Sequence, residues 1–189
     1  MNQSTFKKSL NSHICVFEAL SSLEIKIDEA ASLMHETLTS DGKLMFCGNG
    51  GSAADSQHLA AEFVGRYIND RPPIAAIALS TDTSALTCIS NDYGYEHVFS
   101  RQVSSLGRAG DTLIGISTSG NSANVIRAVE AAKQKGVRTV ALLGRDGGAL
   151  KDMVDVAIVV PSNVTAHIQE AHIFIGHHFC SALEQKLGY

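Results

Sequence analysis

LMFCGNGGSAADSQHLAAEFVGRY, residues 44–67, is the stretch that decides the fold. It opens with an apolar run too short for a helix, turns through a glycine-rich segment and continues with helical periodicity. Four further apolar runs of strand length follow, at 75–80, 112–117, 139–144 and 156–160. Segments with helical periodicity separate several of these runs. The alternation predicts an α/β fold, a five-stranded parallel sheet flanked by helices.

Both ends of the chain carry helical patterns outside this alternating core. Apolar residues recur at three- and four-residue intervals through 1–40, which predicts N-terminal helices, and again through 164–189, which predicts a C-terminal helix. The α/β core is expected over 41–163. Because chains divide into domains mainly beyond about 250 residues, we expect a single domain over 1–189.

Composition excludes several classes of protein. The formal net charge is -4, with 44% hydrophobic and 18% charged residues, so the basic excess typical of a nucleic-acid surface is missing. The chain contains no apolar stretch of about 18 residues and no apolar export signal near its start, so no membrane partner is expected. The four cysteines have no CxxC spacing. A cytoplasmic protein with reduced thiols is therefore expected.

Two polar turns follow predicted strands and lead directly into predicted helices. They are CGNGGSAADSQH after the first strand and STSGNSANV after the third. The carboxyl ends of parallel strands form the ligand-binding edge of such a sheet, and a helix N-terminus there offers backbone N–H groups and partial positive charge. The hydroxyls of the second turn could hold a phosphate without lysine or arginine: Ser117, Thr118, Ser119 and Ser122. In the alternative interpretation, the serines only cap the helix and the glycines only turn the chain.

The first turn also matches a dinucleotide-binding fingerprint through Gly48, Gly50 and Ala53. Asp82 would then be the acid that binds the ribose. However, Asp82 lies about 34 residues beyond Gly48, whereas this fingerprint places the acid roughly 20 residues after the motif. The hypothesis also leaves the STSGNS segment without a role.

Histidine and carboxylate side chains form two further patterns. His58 and Glu62 are four residues apart on the helix after the first turn, so they share a face that could bind a metal or substrate, or that could simply be solvated. The C-terminal helix is rich in histidine, with His167, His172, His177 and His178. His172 falls near the apolar stripe and is expected to be a core histidine.

Four ordered blocks give the chain a resemblance to a known family. They are CGNGGSAADSQHLAAEFVGRY (47–67), IALSTDTSALTCISNDYGYEHVFSRQV (77–103), GDTLIGISTSGNSANVI (110–126) and HIQEAHIFIGHHF (167–179). With them the chain resembles the bacterial phosphoheptose isomerases, whose fold is the sugar-isomerase (SIS) domain. The resemblance implies an aldose-ketose isomerase that converts sedoheptulose 7-phosphate to D-glycero-D-manno-heptose 7-phosphate through an enediol. This reaction is the first step of nucleotide-activated heptose biosynthesis, for lipopolysaccharide or capsule.

The resemblance also implies roles for individual residues. Carried over position by position, the substrate-binding residues are Asn49, Gly50, Gly51, Ser52, Glu62, Asn91, Asp92 and Gln169, and the phosphate loop is Ser117, Thr118, Ser119 and Ser122. The implied ligands of one zinc ion per subunit are His58, Glu62, Gln169 and His177. Glu62 and His177 are the implied catalytic base and acid.

One departure and one alternative accompany the resemblance. Where many family members have arginine, this chain has His167, which puts that arginine's contribution in doubt. A related SIS-domain protein is a non-enzymatic scaffold that binds the bacterial replication initiator. A scaffold has no need for Glu62 and His177, and both are present.

The implied metal ligands raise a geometric problem. Gln169 and His177 are eight residues apart, about 12 Å along a straight helix, whereas two ligands of one zinc ion lie within about 4 Å of each other. Either the helix breaks near Gly176, or long side chains lean together, or the site takes ligands from two subunits. An interface site is favoured, because the terminal helices offer surplus apolar surface and the family forms homotetramers.

Overall fold

A computed structural model describes residues 4–189. Its five strands form one parallel sheet in the order β2-β1-β3-β4-β5. The strands are β1 (Leu44–Gly48), β2 (Ala76–Ala78), β3 (Thr112–Ser117), β4 (Arg138–Gly144) and β5 (Val156–Val160). The predicted five-stranded parallel sheet is confirmed.

Helices cover both faces of this sheet. Within residues 4–189 they are α1 (Thr5–Ala19), α2 (Glu24–Thr39), α3 (Gly51–Val64), α4 (Thr83–Tyr93), α5 (Val98–Leu106), α6 (Ala123–Gln134) and α7 (Thr165–Lys186). Successive residues of β1 alternate between two hydrophobic clusters: Leu44 and Phe46 pack with α2, α3 and α7, whereas Met45 and Cys47 pack with α5 and α6. Burial on both faces explains why the strands are continuous apolar runs.

Several predicted boundaries differ from the structure. The run at 75–80 forms only the three residues of β2, an edge strand that pairs with β1 alone. The helix predicted through residue 67 ends at Val64, because Gly65 leaves the helical conformation (φ -81°, ψ -109°). The N-terminal helices are confirmed from Thr5 onward, and residues 1–3 of the predicted segment 1–40 lie outside the described residues.

The sequence patterns did not predict helix α4. It has no fully buried residue, so its apolar pattern is weak. Asp82 caps its first turn, and the carboxylate accepts a hydrogen bond from Ala85 N at 2.9 Å. A helix-capping role accounts for Asp82, and the sheet order differs from the 3-2-1-4-5-6 order of the dinucleotide fold. Both observations argue against the dinucleotide-binding hypothesis.

The C-terminal helix α7 is continuous across Gly176. A Cβ at this glycine would lie 2.5 Å from the side chain of Leu59 on α3, so glycine permits the close approach of the two helices. The possibility that the helix breaks near Gly176 is therefore wrong. Across residues 4–189, no helix combines the length and the apolar character needed to cross a membrane.

The expected core histidine is found on α7. His172 is fully buried, and its Nε2–H donates to the carbonyl of Leu143 at 2.9 Å. Burial lowers the pKa of His172 to about 4, so its imidazole is neutral at pH 7. A side chain in this state joins α7 to β4 and is unsuited to proton transfer with a substrate.

Candidate functional site

The two polar turns lie side by side at the carboxyl edge of the sheet. β1 and β3 are neighbours, with Gly48 opposite Ile116 in the register, although β2 separates them in the chain. After β1 the chain moves to one side of the sheet, and from β3 onward it continues on the other. Ligands of parallel sheets bind at such a topological switch point. The strand order therefore brings the two turns side by side at this edge.

A pair of amides joins the two turns. Asn49 Nδ2 donates to Asn124 Oδ1 and Asn124 Nδ2 donates to Asn49 Oδ1, both at 2.8 Å. The hydroxyl of Tyr95 also donates to Asn49 Oδ1, at 3.1 Å. Asn124 and Tyr95 were not among the predicted site residues, although both lie inside the family-like blocks. These bonds fix the orientation of the predicted substrate residue Asn49.

The serines of the second turn do not act mainly as helix caps. Ser122 is the N-cap residue of α6, yet its side chain makes no capping hydrogen bond, and Ser122 Oγ lies 2.9 Å from Ser117 Oγ. Ser119 Oγ accepts from Asn121 N at 3.2 Å, a contact within the turn. The first-turn N–H groups of a helix have no intrahelical partner. The hydroxyls and the free N–H groups of this turn are donors that an anion could accept.

The loop after β4 braces this turn. Gly120 has φ +66°, and a Cβ there would collide with the carbonyl of Gly147. Asn121 Oδ1 accepts from Ala149 N at 3.0 Å, and Asn121 Nδ2 donates to Ser119 O at 3.0 Å. Only glycine has both the conformation and the size that this close approach requires. Contacts within the chain therefore hold this turn in one shape.

Three of the four predicted metal ligands meet between α3 and α7. His58 Nε2 lies 3.1 Å from Glu62 Oε1 and 3.4 Å from His177 Nε2. The three ligand atoms all lie within 4.8 Å of one another. The Tyr67 ring stacks on His177 with centroids 5.5 Å apart. Two imidazoles and a carboxylate are a donor set that zinc accepts, so these residues fit the implied ion.

The other predicted ligand, Gln169, and the predicted substrate residues Asn91 and Asp92 lie outside this cluster. A Cβ at Gly51 would collide with the Gln169 amide, so Gln169 lies against the first turn, eight residues before His177 on α7. Asn91 and Asp92 are exposed at the end of α4 and hydrogen-bond to each other at 2.8 Å. Gln169 therefore lies beside the predicted substrate residues of the first turn. Asn91 and Asp92 lie apart from them, on α4, a helix that the sequence patterns did not predict.

Asp55 is a candidate that the sequence patterns did not reveal. It lies one turn before His58 on α3, and among the described residues its buried Oδ2 atom has no hydrogen-bond partner. Burial raises the pKa of Asp55, although the nearby His58 counteracts part of this effect. A carboxyl group with a raised pKa next to a candidate ligand is typical of functional sites.

A buried ion pair fixes the geometry of the histidine cluster. Arg71 Nε donates to Glu184 Oε1 at 2.9 Å, and the guanidinium also donates to the carbonyls of Glu62 (2.8 Å) and Phe63 (2.9 Å) at the end of α3. Burial would raise the pKa of Glu184, but hydrogen bonds from Asn69 N and the Arg71 side chain keep it below its ordinary value. The pair ties α3 to α7, and so it positions Glu62 relative to the histidine on α7.

Comparison with known proteins identifies close relatives. The family model described as "SIS domain" matches residues 10–144. A phosphoheptose isomerase of Akkermansia muciniphila is 55% identical over 171 residues, 90% of each chain. The solved structure of a phosphoheptose isomerase from Neisseria gonorrhoeae superposes with a TM-score of 0.91 at 49% identity, covering 95% of this chain and 97% of the other. One from Francisella tularensis gives 0.85 at 36% identity, covering 96% and 100%.

We predict that Arg71→Leu lowers the free energy of unfolding by about 3 to 5 kcal/mol, because it leaves the buried Glu184 carboxylate without its counter-charge. Urea denaturation at a fixed protein concentration measures the change. Arg108→Leu, at an exposed arginine, is the matched control and should stay within about 0.5 kcal/mol of the original protein. The double variant Arg71→Leu, Glu184→Leu should recover part of the loss. A single variant as stable as the control would contradict the assigned role.

Proposed function

Because this chain belongs to the phosphoheptose isomerase family of SIS-domain proteins, we propose that it interconverts sedoheptulose 7-phosphate and D-glycero-D-manno-heptose 7-phosphate. The observation that carries the proposal is that one chain holds both a phosphate-type loop, at the carboxyl edge of its sheet, and a cluster of His58, Glu62 and His177 between α3 and α7. A phosphate-binding element and a proton-transfer group are the two things that the isomerisation of a sugar phosphate requires.

The phosphate loop would bind the end of the substrate far from the reacting carbons. The Ser117 and Ser122 hydroxyls and the N-terminus of α6 supply donors and partial positive charge to an anion there. Asn49, oriented by Asn124 and Tyr95, together with Gly50, would bind sugar hydroxyls near the first turn. Binding at both ends converts a loose encounter into an oriented complex, which lowers the entropic part of the barrier.

The reaction moves two protons and leaves the redox balance unchanged. Glu62 removes a proton from C1 of the ketose, next to the carbonyl, which gives the enediol, and returns a proton to C2. His177 transfers a proton between the two oxygens, from the C1 hydroxyl to the former carbonyl oxygen. The C1–H bond breaks and a C2–H bond forms, so the product is the aldose. The 25% exposure of the Glu62 side chain keeps the carboxylate accessible to a substrate.

His58, Glu62 and His177 would hold one zinc ion per subunit, with Gln169 as a fourth ligand. When bound, zinc acts as a Lewis acid that polarises the carbonyl and stabilises the developing oxyanion. Within one chain Gln169 contacts the first turn instead, and the continuous helix separates it from His177 by about 12 Å. The Gln169 ligand is therefore assigned to a neighbouring subunit.

The proposed assembly is a homotetramer in the cytoplasm. Only Val16 of α1 is buried, whereas Phe6 is 76% exposed and Ile25 at the start of α2 is 81% exposed. An apolar groove of about 380 Å³ runs between α2 and α7, beside Phe17 and Phe174. Contiguous exposed apolar surface of this kind is typical of subunit interfaces.

The scaffold alternative has no support from the relatives, which are named as isomerases.

Glu62→Gln should abolish isomerisation while the fold remains intact, because the amide keeps the shape of the carboxylate but cannot accept the C1 proton. NMR of sedoheptulose 7-phosphate incubated with the protein follows the aldose product, and the rate should fall at least about 100-fold. Glu130→Gln, at an exposed carboxylate on α6, is the control and should retain full activity. Undiminished turnover by Glu62→Gln would exclude the proposed mechanism.

The double variant Ser119→Ala, Ser122→Ala should weaken substrate binding, seen as a KM raised at least about tenfold, with little change in Tm. The hydroxyls are assigned to the phosphate, whereas their contacts in the free protein are confined to the loop. Steady-state kinetics and thermal unfolding measure the two effects separately. A lower Tm with an unchanged KM would instead support a purely structural, capping role for these serines.

Activity should depend on assembly if subunits share the site. Light scattering across a dilution series should give the mass of a tetramer, and specific activity should fall in step with dissociation at low concentration. A monomer with full activity would rule out a shared site. Such a result would leave the isomerase reaction itself untouched, since that reaction is judged by the product assay.

A further inference from the structure

A second cluster of potential metal ligands lies between α1 and α7. His13 Nδ1 is 2.7 Å from Glu170 Oε2, and His167 Nδ1 is 3.0 Å from the same oxygen. His167 is buried, His13 is partly buried, and Glu170 is exposed. Glu170 and His177 are seven residues apart on α7, about 10 Å along the helix axis. The cluster is therefore distinct from the one that contains His58.

The spacing of the donor atoms suits a small divalent ion. In tetrahedral coordination, ligand atoms about 2.0 to 2.2 Å from zinc are about 3.3 Å from one another. The two N···O distances here, 2.7 and 3.0 Å, require outward shifts of only a few tenths of an ångström. All three ligand atoms lie within 4.8 Å of one another. Both imidazoles already direct the same ring nitrogen at the same carboxylate oxygen.

We propose that His13, His167 and Glu170 form a second divalent transition-metal site, which takes zinc through two imidazole nitrogens and one carboxylate oxygen. Each histidine would then carry its proton on Nε2, because Nδ1 must offer its lone pair to the ion. Three protein ligands leave the fourth position of a tetrahedral ion open to water. The proposal concerns residues outside the proposed catalytic set and does not depend on the proposed function.

The position of the site indicates what the ion would do. Val16 is the one buried residue of helix α1, and Phe17 packs edge-on against Phe174 of α7, with ring centroids 5.2 Å apart. His13 stacks on Phe17 at 4.1 Å, so the proposed ligand and this aromatic contact lie on one face of α1. An ion shared by the two helices would fasten the weakly packed α1 to α7 and add to its stability.

Charge compensation provides the alternative explanation of the same cluster. Hydrogen bonds from His13 and His167 hold the pKa of Glu170 below its ordinary value, as in an ion pair that needs no metal. If the cluster is only an ion pair, removing one of its histidines leaves the number of zinc ions bound by the protein unchanged. The count of bound ions therefore separates the two explanations.

The test compares the full-length protein with His13→Gln, using His35→Gln as a matched control that removes an imidazole from α2, outside both clusters. Each protein is stripped with a chelator, dialysed against zinc and analysed by mass spectrometry for metal content. We expect His13→Gln to bind one zinc ion fewer per subunit than the original protein and the control. Anomalous diffraction at the zinc edge should give a peak between His13, His167 and Glu170. Zinc should also raise the Tm of the original protein more than that of His13→Gln.

An equal zinc content in all three proteins, with no anomalous peak at the cluster, would overturn the proposal in favour of a simple ion pair. If His13→Gln fails to fold by circular dichroism, His167→Gln replaces it with the same expectation. Because the readout is a difference between variants, it holds whether or not the His58 cluster binds an ion. His13→Gln should keep its isomerase activity, so failure of this proposal and failure of the proposed function are distinguishable.

Discussion

The buried ion pair of Arg71 and Glu184 is the interaction on which the geometry of the proposed catalytic cluster depends. Two charges removed from water are tolerated only where hydrogen bonds satisfy them, and here nearly every donor and acceptor is used. Glu184 accepts from the backbone of Tyr67, Ile68 and Asn69 as well as from Arg71, and the guanidinium caps carbonyls at the end of α3. One pair therefore fixes the end of α3, the following loop and α7 at once.

The Arg71–Glu184 pair also sets the positions of the proposed catalytic side chains, which lie close to it. The loop wrapped around Glu184 carries Tyr67, whose ring stacks on His177, while α3 carries Glu62 and His58. Gly176 lets α3 and α7 approach closely enough for His58 and His177 to meet. Proton transfer and metal binding both tolerate errors of only a fraction of an ångström, so rigid helices are better supports for these groups than loops.

Helix α7 serves several purposes along its 22 residues. Its first turns present His167 and Glu170 to α1, its middle buries the neutral His172 against β4, and His177 faces α3. Histidine suits all three environments because burial and hydrogen bonding decide whether the imidazole is neutral, paired or available as a ligand. The high histidine content of the helix thus reflects distinct neighbours instead of one large metal site.

The sequence by itself determined the parallel sheet, the two polar turns at the ends of its strands and the core role of His172, because each leaves a local pattern. Strands buried on both faces are continuous apolar runs, and turns at their ends need glycine and serine. Only the tertiary structure decided the short edge strand β2, helix α4, the Asn49–Asn124 pair and the joining of Arg71 to Glu184, which are 113 residues apart. The two side-chain pairs depend on contacts between residues that are distant in the sequence. Strand β2 and helix α4 bury too few side chains to produce a regular apolar pattern. A contact between two residues that are distant in the sequence produces no periodic pattern along the chain. It can therefore be seen only in the folded structure, where the sheet sets the positions of the helices.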